Sequence, residues 1–250
     1  MSAAVANRAT PESAAREAAE RLRVSVVMPV LNEERRIARA LRDLSTVDGL
    51  HEVIVVDGGS TDATAELVRA HPVATLLHAE RGRATQMNAG AQAASGDVLL
   101  FLHADVTLPT DAVSLVRHAL RDTAAVAGAF RTWTVADPDE AARWAPLLHL
   151  ADLRSRSSGL PYGDQALFVR AEAFRRVRGF PRQPLMEDLE LSRRLRVVGG
   201  VVTVPASVLV SGRRFLARPA YYTLLVNVLP VLYRAGVPPR LLAGLYGHCR

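Results

Sequence analysis

The chain has 250 residues, 49% of them hydrophobic and 5% aromatic; its 31 basic side chains are all arginine, since no lysine occurs, and against 25 acidic ones they leave a net charge of +6. That length admits one large α/β domain or two small ones, and one is the simpler reading. The missing lysine excludes Schiff-base chemistry, a GxxxxGK-type phosphate loop and a lysine general base, while scarce aromatics and the lack of a basic stripe argue against nucleic acid as a partner.

Residues 1–22 are rich in alanine, arginine and glutamate, lack the apolar stretch of a secretory signal, and read as a frayed or helical leader. The valine-rich run at 24–31 is bounded by charge, as a buried parallel strand would be. Asn32 follows as an N-cap, Glu33 and Glu34 fall in the first helical turn, and Ile37, Leu41 and Leu44 recur at helical spacing. The pattern repeats with a strand at 52–57, a turn through Gly58-Gly59-Ser60-Thr61-Asp62 and a helix to Ala70. A strand at 73–78, a helix at 84–94 and a strand at 97–103 follow. Such alternation predicts an α/β fold with a mostly parallel central sheet, covered on both faces, that binds ligands beyond the C-terminal strand ends.

The second half is less regular: a strand at 125–135, a helix at 139–150, a loop at 154–162, a strand at 164–169 and a helix at 187–198. After Pro205 a short strand and two helices flanking Pro238-Pro239 are expected. The main domain then spans 23–214, and residues 215–250 form a helical extension that packs on the domain, pairs two copies or meets a membrane surface. The apolar run at 221–233 is too short to span a bilayer. The single cysteine, Cys249, forms no internal disulfide, which fits a reducing, cytoplasmic compartment.

Three groups of carboxylates can carry chemistry. Asp57 ends a strand before two glycines, where it either accepts hydrogen bonds from a base or ribose or closes an Asp-Gly turn. Asp62 reads better as a helix cap. Asp105 in His103-Ala104-Asp105 ends a strand of the same half, and one carboxylate there suffices for a hard divalent cation that shares its other ligands with diphosphate and water. The bland alternative is a loop cap, and His103 is as readily a packed residue as a ligand. Glu187 and Asp188 stand at a helix start, where the dipole alone rewards acids but where Asp188 can also serve as an ionised general base. Arg81 and Arg83 flank Gly82 before a helix and offer a phosphate cradle or a solvated surface. Asp164 and Gln165 can bind sugar hydroxyls, and Arg213-Arg214 can close over a diphosphate.

In order, the segments PVLNEE, VVDGGSTDAT, GRATQMNAGA, LFLHADV, GDQALFV and MEDLELSRRL resemble family 2 glycosyltransferases of the GT-A (Rossmann-like) fold over residues 24–214. The resemblance implies a single GT-A domain, a nucleotide-diphosphate sugar donor, Mg²⁺ or Mn²⁺, and displacement with inversion. It places Pro29, Asn32 and Glu33 in the nucleoside pocket, Asp57 on the base or ribose, Asp105 on the metal and Asp188 as catalytic base, with Asp164 and Gln165 near the acceptor. His103 replaces the first aspartate of the family's Asp-x-Asp pattern. The Gln-x-x-Arg-Trp segment of processive synthases is missing, which argues against polymer synthesis. The HAD, GDQALF and GRRF segments look most like a small bacterial subgroup labelled arsenosugar-biosynthesis glycosyltransferases. The leading expectation is a metal-dependent inverting transferase with an unidentified acceptor. A polyprenyl-phosphate transferase peripheral to the inner membrane face and a non-catalytic nucleotide-sugar binding module are the alternatives.

Overall fold

A computed structural model describes residues 11–135, 152, 160–212 and 219–246. Eight strands form one sheet: β1 (Val24–Val30), β2 (Glu52–Asp57), β3 (Ala74–His78), β4 (Val98–Phe101), β5 (Val106–Thr107), β6 (Ala125–Val135), β7 (Phe168–Arg170) and β8 (Gly200–Ser211). Around it lie α1 (Pro11–Glu20), α2 (Glu34–Ser45), α3 (Thr64–Arg69), α4 (Arg83–Ala93), α5 (Ala112–Ala119), α6 (Ala171–Arg176), α7 (Glu187–Val198), α8 (Pro219–Arg234) and α9 (Pro239–Tyr246). The strand order is β3-β2-β1-β4-β7-β6-β8-β5. The pairs from β3 to β4 are parallel, β7 runs antiparallel to both its neighbours, β6 and β8 are parallel, and β5 is antiparallel to β8. This is the mostly parallel, single-sheet α/β architecture that the alternating periodicity predicts.

Every residue of β1 is buried, because its successive side chains feed two cores. Val24, Val26, Met28 and Val30 join one with Ile37, Leu41 and Leu44 of α2. Val27 points the other way, to join Met87 of α4. A third, smaller core lies away from the sheet, where Leu229 and Leu242 of α8 and α9 pack on Tyr162, Leu185, Met186 and Leu189. None of the described helices is long and apolar enough to cross a membrane.

Several local expectations need correction. Asn32 is not an N-cap: it is left-handed at φ 54, and Glu33 occupies the cap before α2 begins at Glu34. Asparagine tolerates this conformation, and its side chain works elsewhere, accepting the Thr61 N–H at 2.8 Å. The strand expected at 164–169 starts only at Phe168. Gly163–Gln165 is a 3-10 turn, because the Gln165 side chain accepts the Tyr162 N–H at 2.8 Å and so closes the backbone locally before a ladder can form. The final strand is long rather than short and begins before Pro205. Pro205 falls in the register shift between β6 and β8, where no ladder N–H is required. Helices α5 and α6 and the two-residue β5 were not anticipated, and the helix expected at 139–150 lies outside the described residues.

Candidate active site

A cleft of about 200 Å³ opens at the C-terminal ends of β1 and β4. Its walls come from the β1 end, the start of α4, the 3-10 turn, the N-terminus of α7 and the inner side of α8. The strand ends are fixed from below by Gln86, whose buried amide donates to the Val30 and Val56 carbonyls, each at 2.8 Å. Gly58 lies against that amide so closely that a Cβ there would come within 2.8 Å of its oxygen. Two further turns are laced together: Glu33 N–H donates to Thr64 Oγ1 at 2.8 Å, and Asp62 accepts from the backbones of Glu34 and Thr64. Asp62 thus anchors two helix starts, although the cap of α3 expected of it is occupied by Ala63.

Arg83 is the hub of the cleft. Its guanidinium donates to His103 Nε2 at 2.7 Å and sits 3.5 Å from Glu187 Oε1. Because guanidinium only donates, that His103 nitrogen must accept and carries no proton there. Glu187 is 3% exposed, and burial pushes its carboxyl above the usual range, with Arg83 opposing and Asp188 reinforcing the shift. Met186 just before it is left-handed at φ 63 and packed in the third core; this turns the chain so that Glu187 and Asp188 both enter the cleft. Asp188 is oriented by the Gly163 N–H on one oxygen and the Leu189 N–H at 2.7 Å on the other. A Cβ on Gly163 would stand 3.0 Å from both Asp188 Oδ2 and His103 Nε2. Ser192 holds the adjoining loop by donating to the Pro161 carbonyl at 2.9 Å.

Asp105 follows β4 and lines both this cleft and a second cavity of about 280 Å³, which continues past it toward Arg35, Arg36 and Arg39 of α2. The residues present suit one kind of cation site. With one His103 nitrogen engaged by Arg83, Asp105 offers one carboxylate just past the end of β4, and the described residues hold no group of three or more His, Cys, Asp or Glu able to ligate a metal. One carboxylate fits Mg²⁺ or Mn²⁺ that draws its other ligands from diphosphate and water, and does not fit an all-protein cage.

The cleft therefore brings together Pro29, Glu33, Arg83, His103, Asp105, Asp164, Glu187 and Asp188 from the residues singled out in the sequence. Others stand apart. Asp57, with a side chain 3% exposed, pairs in register with Val30 at the cleft edge, but its carboxylate accepts from Gly59 and Ser60 of its own turn and lies 3.4 Å from His78. Asn32 and Arg81 are exposed and do not line the cleft. Gln165 is buried behind the wall, donating to the Phe130 carbonyl at 3.0 Å. Arg213 lies outside the described residues. Sequence reasoning missed Gln86 and Tyr162, and also Val226 and Leu229, which α8 contributes to the cleft. The one signal for Gln86 was a polar residue at a core-facing position of α4.

Comparison with known proteins gives consistent relationships. A profile described as glycosyl transferase family 2 matches residues 25–178. The chain is 29% identical over 161 residues, 60% of its length, to the undecaprenyl-phosphate 4-deoxy-4-formamido-L-arabinose transferase of Yersinia pestis, of which this covers 48%. It is 38% identical over 108 residues to the transferase of that name from Pectobacterium carotovorum, spanning 38% of this chain and 33% of that one. The chain thus spans less than half the length of these curated relatives. In three dimensions it resembles the Pyrobaculum calidifontis mannosyltransferase PcManGT in complex with GDP-Man and Mn²⁺, with a TM-score of 0.64 and 23% identity over 88% of this chain and 66% of that one. It also resembles S. aureus TarS 1–349 in complex with UDP-GlcNAc, with a TM-score of 0.60 and 20% identity over 76% and 58% of the two chains.

Proposed function

Because the chain belongs to glycosyl transferase family 2, we propose that it moves a sugar from a nucleotide-diphosphate sugar to an acceptor hydroxyl, in one displacement that inverts the anomeric carbon. The observation that carries this proposal is the convergence of Arg83, Asp105 and Asp188 on one cleft. Pro29 and Glu33 line the nucleoside end, beside the laced turns of Asn32 and Asp57. Arg83, braced by Glu187, faces the diphosphate. Asp105 would hold Mg²⁺ or Mn²⁺, which when bound disperses the charge of the departing diphosphate. Asp188, oriented by the Gly163 and Leu189 amides, takes the acceptor proton as the new C–O bond forms and the electron pair of the old one leaves on the nucleotide. Asp164 stands on the acceptor side, and Glu187 is a positioning residue for Arg83.

The test has two stages. Nucleotide sugars are screened by thermal shift with and without Mn²⁺, since a ligand of the folded state alone raises the melting temperature. Asp188→Asn is then expected to keep the donor's shift while transfer to a hydroxyl acceptor falls by about 10²–10⁴-fold. Undiminished transfer in that variant removes Asp188 from the role. Donor binding without transfer under any divalent ion would favour a binding module.

The names of the relatives favour a lipid phosphate as the alternative acceptor. A phosphate is already ionised near neutrality and needs no base. With polyprenyl phosphate as acceptor, Asp188→Asn would therefore lose little, and this separates the two acceptor chemistries.

A further inference from the structure

Helix α8 has two faces with different tasks. Leu229 is buried in the third core and lines the cleft with Val226, whereas Tyr221, Leu224, Val228 and Val231 recur at spacings of three and four and are exposed, Leu224 to 66% and Val231 to 61%. Helix α9 extends the same surface. Tyr221 Oη donates to the Leu245 carbonyl, Leu242 packs inward, and Leu241 and Leu245 are left 64% and 52% exposed. Six large apolar side chains thus stand in water on a hairpin whose other side closes the cleft.

Charge decides what covers them. From Leu191 to the last residue the sequence has nine arginines and no aspartate or glutamate, whereas the first 190 residues hold 22 arginines against 25 acids. Arg193 and Arg194 share the one carboxylate of Glu190, whereas Arg234 and Arg240, which bracket the turn between the two helices, are exposed. A second copy placed against this face would bring like charges together. An anionic lipid surface offers opposite charge at the rim and an apolar boundary for the stripe, the combination that holds interfacial helices.

We propose that the α8–α9 hairpin seats this protein on an anionic membrane surface, with the apolar stripe in the headgroup boundary and the cleft opening beside the contact. The proposal goes beyond sugar transfer and is read without donor or acceptor, so its failure leaves the transfer reading untouched. The test is co-sedimentation of the whole chain with phosphatidylcholine vesicles with and without about one third phosphatidylglycerol, the anionic share adding affinity through the arginines. Partition into the anionic vesicles is expected to exceed that into neutral ones by about tenfold and to fall by about tenfold in Leu224→Glu/Val231→Glu. Arg234→Glu/Arg240→Glu, which leaves the apolar stripe intact, is expected to abolish the preference for anionic vesicles, and unchanged melting temperatures report that both variants fold. Three results would overturn the proposal: no sedimentation of the unchanged chain with anionic vesicles, sedimentation of both folded variants equal to that of the unchanged chain, or a solution dimer that Leu224→Glu/Val231→Glu dissolves.

Discussion

Three functional groups crowd the place where Gly163 has no side chain: Asp188, His103 and Arg83 all lie within 3.3 Å of where its Cβ would be. Its amide aims Asp188, so glycine here serves both close approach and orientation. Gly163→Ala should displace the carboxylate by a few tenths of an ångström. Since small misplacements of a reacting group are costly, turnover is expected to fall by about tenfold or more while the donor's thermal shift persists. Equal loss of both would make the residue a folding determinant only. None of this closeness was visible in the letters GDQALFV, whose last residues carry a strand pattern that conceals the turn before them. Asp105, Asp188 and Arg83 were recognisable because chemistry-bearing residues at strand and helix ends need only local periodicity to be located. The 2.7 Å contact of Arg83 with His103 joins positions 20 residues apart and depends on the packing of α4 on the sheet.

Helix α4 shows how one element can be written almost entirely for position. Gln86 pins two strand ends, Asn88 exchanges two hydrogen bonds of 2.9 Å with the Phe180 backbone, and Gly90 lies where a Cβ would come within 2.4 Å of Val27. In an exposed helix, exchanging glycine for alanine gains about 1 kcal/mol. Here overpacking costs about 1–3 kcal/mol, so the steric effect wins. Gly90→Ala is expected to be net destabilising in urea unfolding, and a stabilised variant would show that α4 can lift from the sheet. The strand–helix units up to residue 103 were legible because buried parallel strands are long apolar runs and amphipathic helices keep a 3.6-residue period. The letters of strand β7 carry a strand pattern, but its three residues take their place between β4 and β6 from distant partners, which no local pattern announces.

Across the whole molecule, stability against pH sets Glu187 against most other shifted carboxylates. Hydrogen bonds from Arg193 and Arg23 hold Glu190 and Asp97 below the usual range. Such groups contribute stability above their unfolded values and lose it as pH falls. Burial raises Glu187, so its contribution is full below the unfolded value and is lost as pH rises through the folded one. Glu187→Gln removes only the second behaviour. Its melting temperature relative to the unchanged protein is therefore expected to become more favourable as pH rises above the ordinary carboxyl range; a constant difference would mean that Glu187 does not titrate there. The antiparallel insertion of β7 between β4 and β6 also imposes a timetable on synthesis. Strands β1 to β4 can assemble from local units, but the apolar edge Val98–Phe101 has no partner until residues near 168 emerge. At ~5–20 residues per second that is a wait of about 4–14 s, during which the nascent chain carries an open strand edge that invites mispairing with its neighbours.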